Sequence, residues 1–267
     1  MGWFLFRLFL NTLDCLFFKC RTGGFVNFED EFQYRNSGFY DMNWIVVFLK
    51  SSLGKKIIMS LTGLFLCLFL VVHLIGNLQL LKDDAGEAFN TYAYFMTHNP
   101  LILLVSYMTY FFIVLHTIQG LTLFVQNRSS RKQGYSTKKS SGSSFSSRNM
   151  ALLGSFILLF LVTHMGDFWY KMHKEYLPTV SYEGYENIQD LYIRVSAAFD
   201  QWWIVLFYVL GMIILAYHLQ HGFQSAFQSL GINHPKYTPI IKGFGIVFCL
   251  LLSAGFASIP IYHFFFR

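Results

Sequence analysis

Four histidines, His73, His116, His164 and His218, stand inside four separate apolar stretches, each about 16 residues from the point where its stretch enters the membrane. An imidazole is expensive in hydrocarbon, so four at matched depth imply a shared ligand. Each neutral ring offers one nitrogen lone pair, and the simplest group that uses four of them is a pair of iron porphyrins, each held between two histidines. One intramembrane histidine alone would read as a packed residue hydrogen-bonded to a neighbouring helix. Four that pair in depth do not fit that reading.

The elements that must position these rings are transmembrane helices. A hydrophobic fraction of 54%, aromatics at 19% and charged residues at 13% leave too little polar surface for a water-soluble fold. A bilayer core about 30 Å thick needs roughly 20 apolar residues in a helix. Five stretches meet that length, at about 56–81, 100–125, 149–172, 201–230 and 239–266. The expected fold is therefore all-α, an integral membrane bundle of five transmembrane helices. The net charge of +6 could suggest nucleic acid, but the basic residues cluster between apolar segments, as the positive-inside pattern requires.

Flanking charges orient the spans. Lys50, Lys55 and Lys56 precede the first, whereas Asp83, Asp84 and Glu87 outweigh Lys82 in the loop after it. Arg128, Arg131, Lys132, Lys138, Lys139 and Arg148 fill the next connection without an acid, and the one after that is mixed in sign. With Lys236 and Lys242 before the fifth span, every basic loop falls on one side. The N-terminal side is then cytoplasmic and Arg267 lies outside. The first and third spans run outward, so His73 and His164 belong near the outer face, roughly 24 Å from the cytoplasmic one. The second and fourth run inward, which puts His116 and His218 near the cytoplasm. Two layers of two histidines result, separated by roughly 10 to 15 Å along the normal. Each layer has one imidazole from each of two helices, as a bis-histidine iron needs.

Small residues accompany the rings. Gly63 and Gly154 precede His73 and His164 by ten residues, while Gly120 and Gly222 follow His116 and His218 by one turn. Glycine there would let a porphyrin approach the backbone, although it also serves ordinary helix packing. His221 shares a helix face with His218, and matched depth favours His218 as the ligand. His98, His173, His234 and His263 sit at helix ends or turns and read as interfacial. Cys15, Cys20, Cys67 and Cys249 form no C-x-x-C-H, so the haem would be noncovalent and b-type, and they lack iron–sulfur spacing. Cys67 and Cys249 read as packing residues. With no dinucleotide or P-loop fingerprint, flavin, nicotinamide and nucleotide chemistry would belong to other subunits.

Two regions stand apart. Residues 1–41 begin with an apolar stretch broken by Arg7, Asn11 and Asp14, and the entry MNWIVVFLKSSLGKK marks Met42 as a candidate natural start. The domain of interest is then 42–267, preceded by an N-terminal extension, and intact-mass measurement of the native protein would decide. Residues 129–147 are a Ser/Gly/Lys run, open to both a passive linker and a contact with a cytoplasmic partner.

From about Met42 onward the chain resembles the di-haem cytochrome b membrane anchor of succinate dehydrogenase and fumarate reductase, the type built from one five-helix polypeptide. The stretches that carry the likeness are SLTGLFLCLFLVVHLIGN, FFIVLHTIQG, LLFLVTHMGDFWY and AYHLQHGFQSAFQSLGIN. The resemblance implies two haem b groups, with His73 and His164 on the distal iron and His116 and His218 on the proximal one, the same pairing that topology suggests. It also implies a bacterial inner membrane, flavoprotein and iron–sulfur subunits on the cytoplasmic side, and electron exchange with a membrane quinone, often menaquinone. Some fumarate-reducing members carry a glutamate two residues before the fourth ligand as a proton relay, and here that position is Ala216. The direction of the reaction is thus left open.

For the quinone, Asn77 and Asp167 are the candidates on the outer side, with Gln79 and Asp83 nearby. Ser60, Lys56 and Arg148 are candidates for the propionates of the inner haem. Two alternatives stay open. A cytochrome b anchor of a hydrogenase or formate dehydrogenase keeps the haems and changes the partner. A transporter subunit would need charges inside the spans or broken half-helices, and the five spans show almost none of the former.

Overall fold

A computed structural model describes residues 40–129 and 145–267. The expectations for residues 1–39 and for most of the Ser/Gly/Lys run therefore lie outside the described residues. Contacts divide the chain into two units, residues 1–47 and 48–267, and every membrane span belongs to the second.

Hydrocarbon offers no partner for a backbone N–H or C=O, so an apolar stretch of spanning length must satisfy its own amides as a helix. Five helices meet that condition here, Ser52–Leu81, Pro100–Ser129, Met150–His173, Trp202–Ser229 and Thr238–Phe266. The chain is a multi-pass helical membrane protein, as its composition required.

Helix α1, Tyr40–Lys50, crosses the boundary between the two units and is separate from the first span. The entry segment thus breaks where the sequence suggested a continuous lead-in. Ser51 takes an extended backbone and its hydroxyl accepts from Gly54 N at 2.9 Å, the bond that satisfies an orphan amide at a helix start. Helix α2 therefore begins at Ser52, earlier than the expected 56, and runs to Asn77 before a 3-10 turn, Leu78–Leu81. Gly86, at φ +89°, precedes α3, Glu87–His98. The second span is α4, Pro100–Ser129, which opens on a proline whose missing N–H costs nothing in a first turn. After the short α5, Phe145–Arg148, comes α6, Met150–His164, which continues through a π turn, Met165–Trp169, into α7, Tyr170–His173.

The connection after α7 holds elements that the charge pattern did not announce. Strands β1, Thr179–Tyr182, and β2, Tyr185–Gln189, form an antiparallel hairpin, followed by α8, Leu191–Phe199. Asn90 on α3, only 1% exposed, ties these together. Its amide donates to Tyr182 Oη and Asp190 Oδ1, and its carbonyl accepts from Tyr192 N. A buried amide satisfied from three segments is a strong specifier of one arrangement. The last two spans are α9, Trp202–Ser229, and α10, Thr238–Phe266.

Helix α9 is the hub, packed against α10, α2 and α6, while α4 packs against α2 and α6. Mid-bundle, Cys67, Met212, Leu215, Leu219, Phe223, Cys249 and Leu252 form one buried cluster, so both span cysteines are packing residues as expected. A second cluster joins the hairpin end of the bundle, where Leu80, Phe168, Phe199 and Ile259 meet. That cap corrects one expectation. His263 is 2% exposed, not interfacial, because α8 and the 3-10 turn cover the last turn of α10; Tyr192, Phe199 and Tyr262 surround its ring.

Candidate functional site

Two pairs of histidine rings face each other across the bundle. His73 of α2 meets His164 of α6 with ring centroids 5.9 Å apart and planes at 85°. His116 of α4 meets His218 of α9 at 6.4 Å and 67°. The first pair lies toward the hairpin end, since both rings stand near the ends of helices that lead into the hairpin-side elements. The second lies toward the opposite end, where the basic connections run. No third ligand joins either pair: among the described residues no cluster of three or more His, Cys, Asp or Glu could hold a bare ion.

The spacing bears on what the pairs can bind. A metal–nitrogen bond of about 2 Å, plus about 1.1 Å from nitrogen to ring centre, places two trans imidazole centroids about 6 Å apart. The two observed separations straddle that value. Edge-to-face packing of aromatic rings also covers this range, so distance alone does not distinguish the two. The bonds made by the other ring nitrogens add to it. His116 Nδ1 lies 3.0 Å from Thr62 Oγ1, and Thr62, 3% exposed, donates its own hydrogen to Ile58 O at 2.8 Å. The hydroxyl is then an acceptor, the proton sits on Nδ1, and Nε2 keeps its lone pair. A metal-binding histidine is prepared in that way. His164 Nδ1 lies 3.3 Å from Tyr208 Oη, a longer contact. His218 Nδ1 is buried without a partner.

Aromatic and small residues hold the rings in place. Phe69 stacks on His73 at 5.3 Å and Phe160 on His164 at 5.7 Å, each one turn earlier on the same helix. A Cβ added at Gly63 would stand 3.2 Å from Cε1 of His116, and one at Gly154 would stand 3.6 Å from Cε1 of His218. Each glycine thus makes room for a ring of the pair to which its own helix contributes no ligand. Gly120 and Gly222 instead face Met59 and Met150. Sequence reasoning singled out these glycines without finding the order behind them. The series Met59, Gly63, Phe69, His73 recurs with the same spacing as Met150, Gly154, Phe160, His164, and His116-Gly120 recurs as His218-Gly222. The α2–α4 and α6–α9 pairs are two copies of one arrangement. Thr62 escaped notice because its counterpart is Leu153, so the repeat itself hides it.

The other candidates divide into those that reach the pairs and those engaged elsewhere. It is His218, not His221, whose ring faces His116. Asn77 Nδ2 donates to His73 O at 2.7 Å, capping its own helix. Asp167, on the π turn, accepts from Lys171 Nζ at 2.6 Å and from the Arg194 guanidinium, with its side chain 25% exposed. Asn77 thus uses one amide hydrogen within its own helix, and Asp167 engages two cations through Oδ1. Ser60 donates to Lys56 O at 2.8 Å, and Lys56 is exposed. Arg148 lies in α5 at the same end of the bundle. Comparison with protein-family models, with curated proteins and with solved structures found no match for this chain.

Proposed function

We propose that this chain is the di-haem cytochrome b anchor of a succinate dehydrogenase or fumarate reductase, carrying electrons across the membrane between an iron–sulfur subunit and quinone. The observation that carries the reading is the two facing histidine pairs, at opposite depths, with separations suited to a shared iron. Ionisable side chains within membrane spans mark function by default, and these four lack any other common purpose.

Each residue then has a task. His73 and His164 would ligate the distal iron and His116 and His218 the proximal one, with Thr62 fixing the tautomer of His116. Bound haem supplies a one-electron change at each layer without taking up a substrate atom. Phe69 and Phe160 limit ring rotation, and the apolar walls exclude water, so charge moves rather than chemistry. Reducing the quinone consumes two electrons and two protons and gives the quinol. Succinate oxidation belongs to the flavoprotein subunit, since the chain carries no dinucleotide fingerprint and no resident flavin motif.

On this reading the basic connections would face the cytoplasm and the hairpin end the periplasm, the bacterial inner membrane being what the family resemblance implies. The test is purification in mild detergent, with reduced-minus-oxidised spectra and identification of chains that co-purify. Low-spin b-type spectra with a flavoprotein and an iron–sulfur protein are expected. A hydrogenase or formate dehydrogenase partner would transfer the same electron path to another enzyme, and an absence of haem would end the reading.

A further inference from the structure

The expected quinone contacts, Asn77 and Asp167, are engaged with protein groups, whereas polar groups elsewhere in the spans are not. A cleft of about 340 Å³ opens toward lipid between α9 and α10, with Met212, Ala216 and Gln220 on one wall and Ser253, Ala254 and Ala257 on the other. Its volume is at the small end of ligand clefts, which span about 300 to 1,000 Å³. Ser253 lines the cleft and is 5% exposed; its hydroxyl is occluded and has no hydrogen-bond partner among the described residues, and a rotation about its Cα–Cβ bond would turn it to an occupant. Gln220 is half-buried within the span and makes no hydrogen bond to another described residue. Hydrocarbon leaves both groups unsatisfied, so an occupant with acceptors would complete them.

Depth narrows that occupant. At 1.5 Å per residue, Gln220 lies about 13 Å from the Ser229 end of α9, and Ser253 about 22 Å from the Thr238 end of α10. Helices about 42 Å long overhang a 30 Å core by about 6 Å at each end, so the two groups lie about 8 and 16 Å inside the hydrocarbon. The ester carbonyls of a phospholipid stay at the hydrocarbon boundary and do not reach Ser253. A para-quinone carries two carbonyl oxygens about 5 Å apart, and a hydrogen bond of about 2.9 Å at each bridges donors up to about 11 Å apart. The alanines leave space for a flat ring, and the open side admits a prenyl tail.

We propose that the α9–α10 cleft binds a prenylated quinone, with the Gln220 amide and the Ser253 hydroxyl donating to its two carbonyl oxygens. This rests on the quinone-exchange reading above for the ligand class, and it places the quinone in the cytoplasmic half of the bilayer, beside the His116–His218 layer rather than on the outer side. Gln220 lies two residues from His218, on the far side of α9, so the ring would sit one helix width, about 10 Å, from that ligand.

The full chain, purified in lipid nanodiscs, tests this with a short-tailed naphthoquinone and its azido photoprobe. Labelling is expected on α9 and α10, and Gln220→Leu and Ser253→Ala should each weaken binding about tenfold. Ala254→Phe, which fills the cleft, should abolish labelling, and all three should keep the wild-type haem spectrum. Should Ala254→Phe fail to assemble, Gln220→Leu decides, because leucine suits a lipid-facing helix. Unchanged affinity in Gln220→Leu and Ser253→Ala overturns the site, as does labelling confined to the surroundings of Asn77 and Asp167. A phospholipid found in the cleft that the naphthoquinone cannot displace overturns it too. If wild-type protein lacks low-spin haem, the electron-transfer reading fails, while the labelling pattern still decides the cleft.

Discussion

The two histidine pairs are built from copies of the same helix pair, yet their surroundings differ. Toward the hairpin end, His73 and His164 are flanked by Phe69 and Phe160 at matching places, and His164 adds only a long contact to Tyr208. At the other end, the rings are seated against Gly63 and Gly154, and only His116 has a firm hydrogen-bond partner. The difference shows where a repeated scaffold is free to diverge. Van der Waals seats for the rings recur in both halves, since shape must be kept in each. The polar partner does not, and where Thr62 becomes Leu153 the second ring, His218, loses its acceptor.

The largest effect available is removal of a ligand. His73→Ala and His164→Ala should eliminate or convert one and the same spectral component, and His116→Ala and His218→Ala the other. His221→Ala should leave both intact. A His73→Ala protein that loses the component lost in His116→Ala would break the pairing, and so would an unchanged His218→Ala protein beside a defective His221→Ala one.

Thr62→Val should be the next most costly. It removes one of the two acceptors at the ring, leaving the Met59 carbonyl, and the loss of a hydrogen bond behind a metal ligand weakens metal affinity about 10- to 100-fold. Redox titration should show a shifted midpoint in the His116–His218 component alone, with Thr62→Ser restoring it. Leu153→Thr sharpens the comparison by offering His218 the partner it lacks. Equal responses of both components to Thr62→Val would show that the hydroxyl has no special tie to one pair.

A smaller change should fall on the hairpin end. A Cβ at Gly211 would come within 2.8 Å of Phe160, whose ring stacks on His164, so Gly211→Ala should destabilise by about 1 kcal/mol or more. Thermal loss of the two spectral components, followed separately, should show the His73–His164 one weakening first. Least of all should Tyr208→Phe matter, given a contact of 3.3 Å, at about 0.5 kcal/mol or below. A large midpoint shift there would show that Tyr208 is to His164 what Thr62 is to His116.

The sequence alone determined the solvent and the count of spans, because hydrocarbon imposes a length and a composition that can be counted residue by residue. It also set how far along its span each of His73, His116, His164 and His218 lies, since rise along a helix is uniform. Which rings face each other was an inference from depth, and the folded bundle brings together the same two pairs. What only the tertiary structure decided is everything that depends on rotation about a helix axis and on contacts between distant segments. Gly63 serves a ring from α4 rather than one on its own helix, Thr62 meets His116, and Asp167 pairs with Arg194. His263 is buried because α8, unannounced by any apolar period, and the 3-10 turn cover the end of α10. Periodicity reports which face of a helix is apolar, but in a bilayer both the lipid and the neighbouring helix are apolar, so pattern alone cannot tell the packed face from the exposed one.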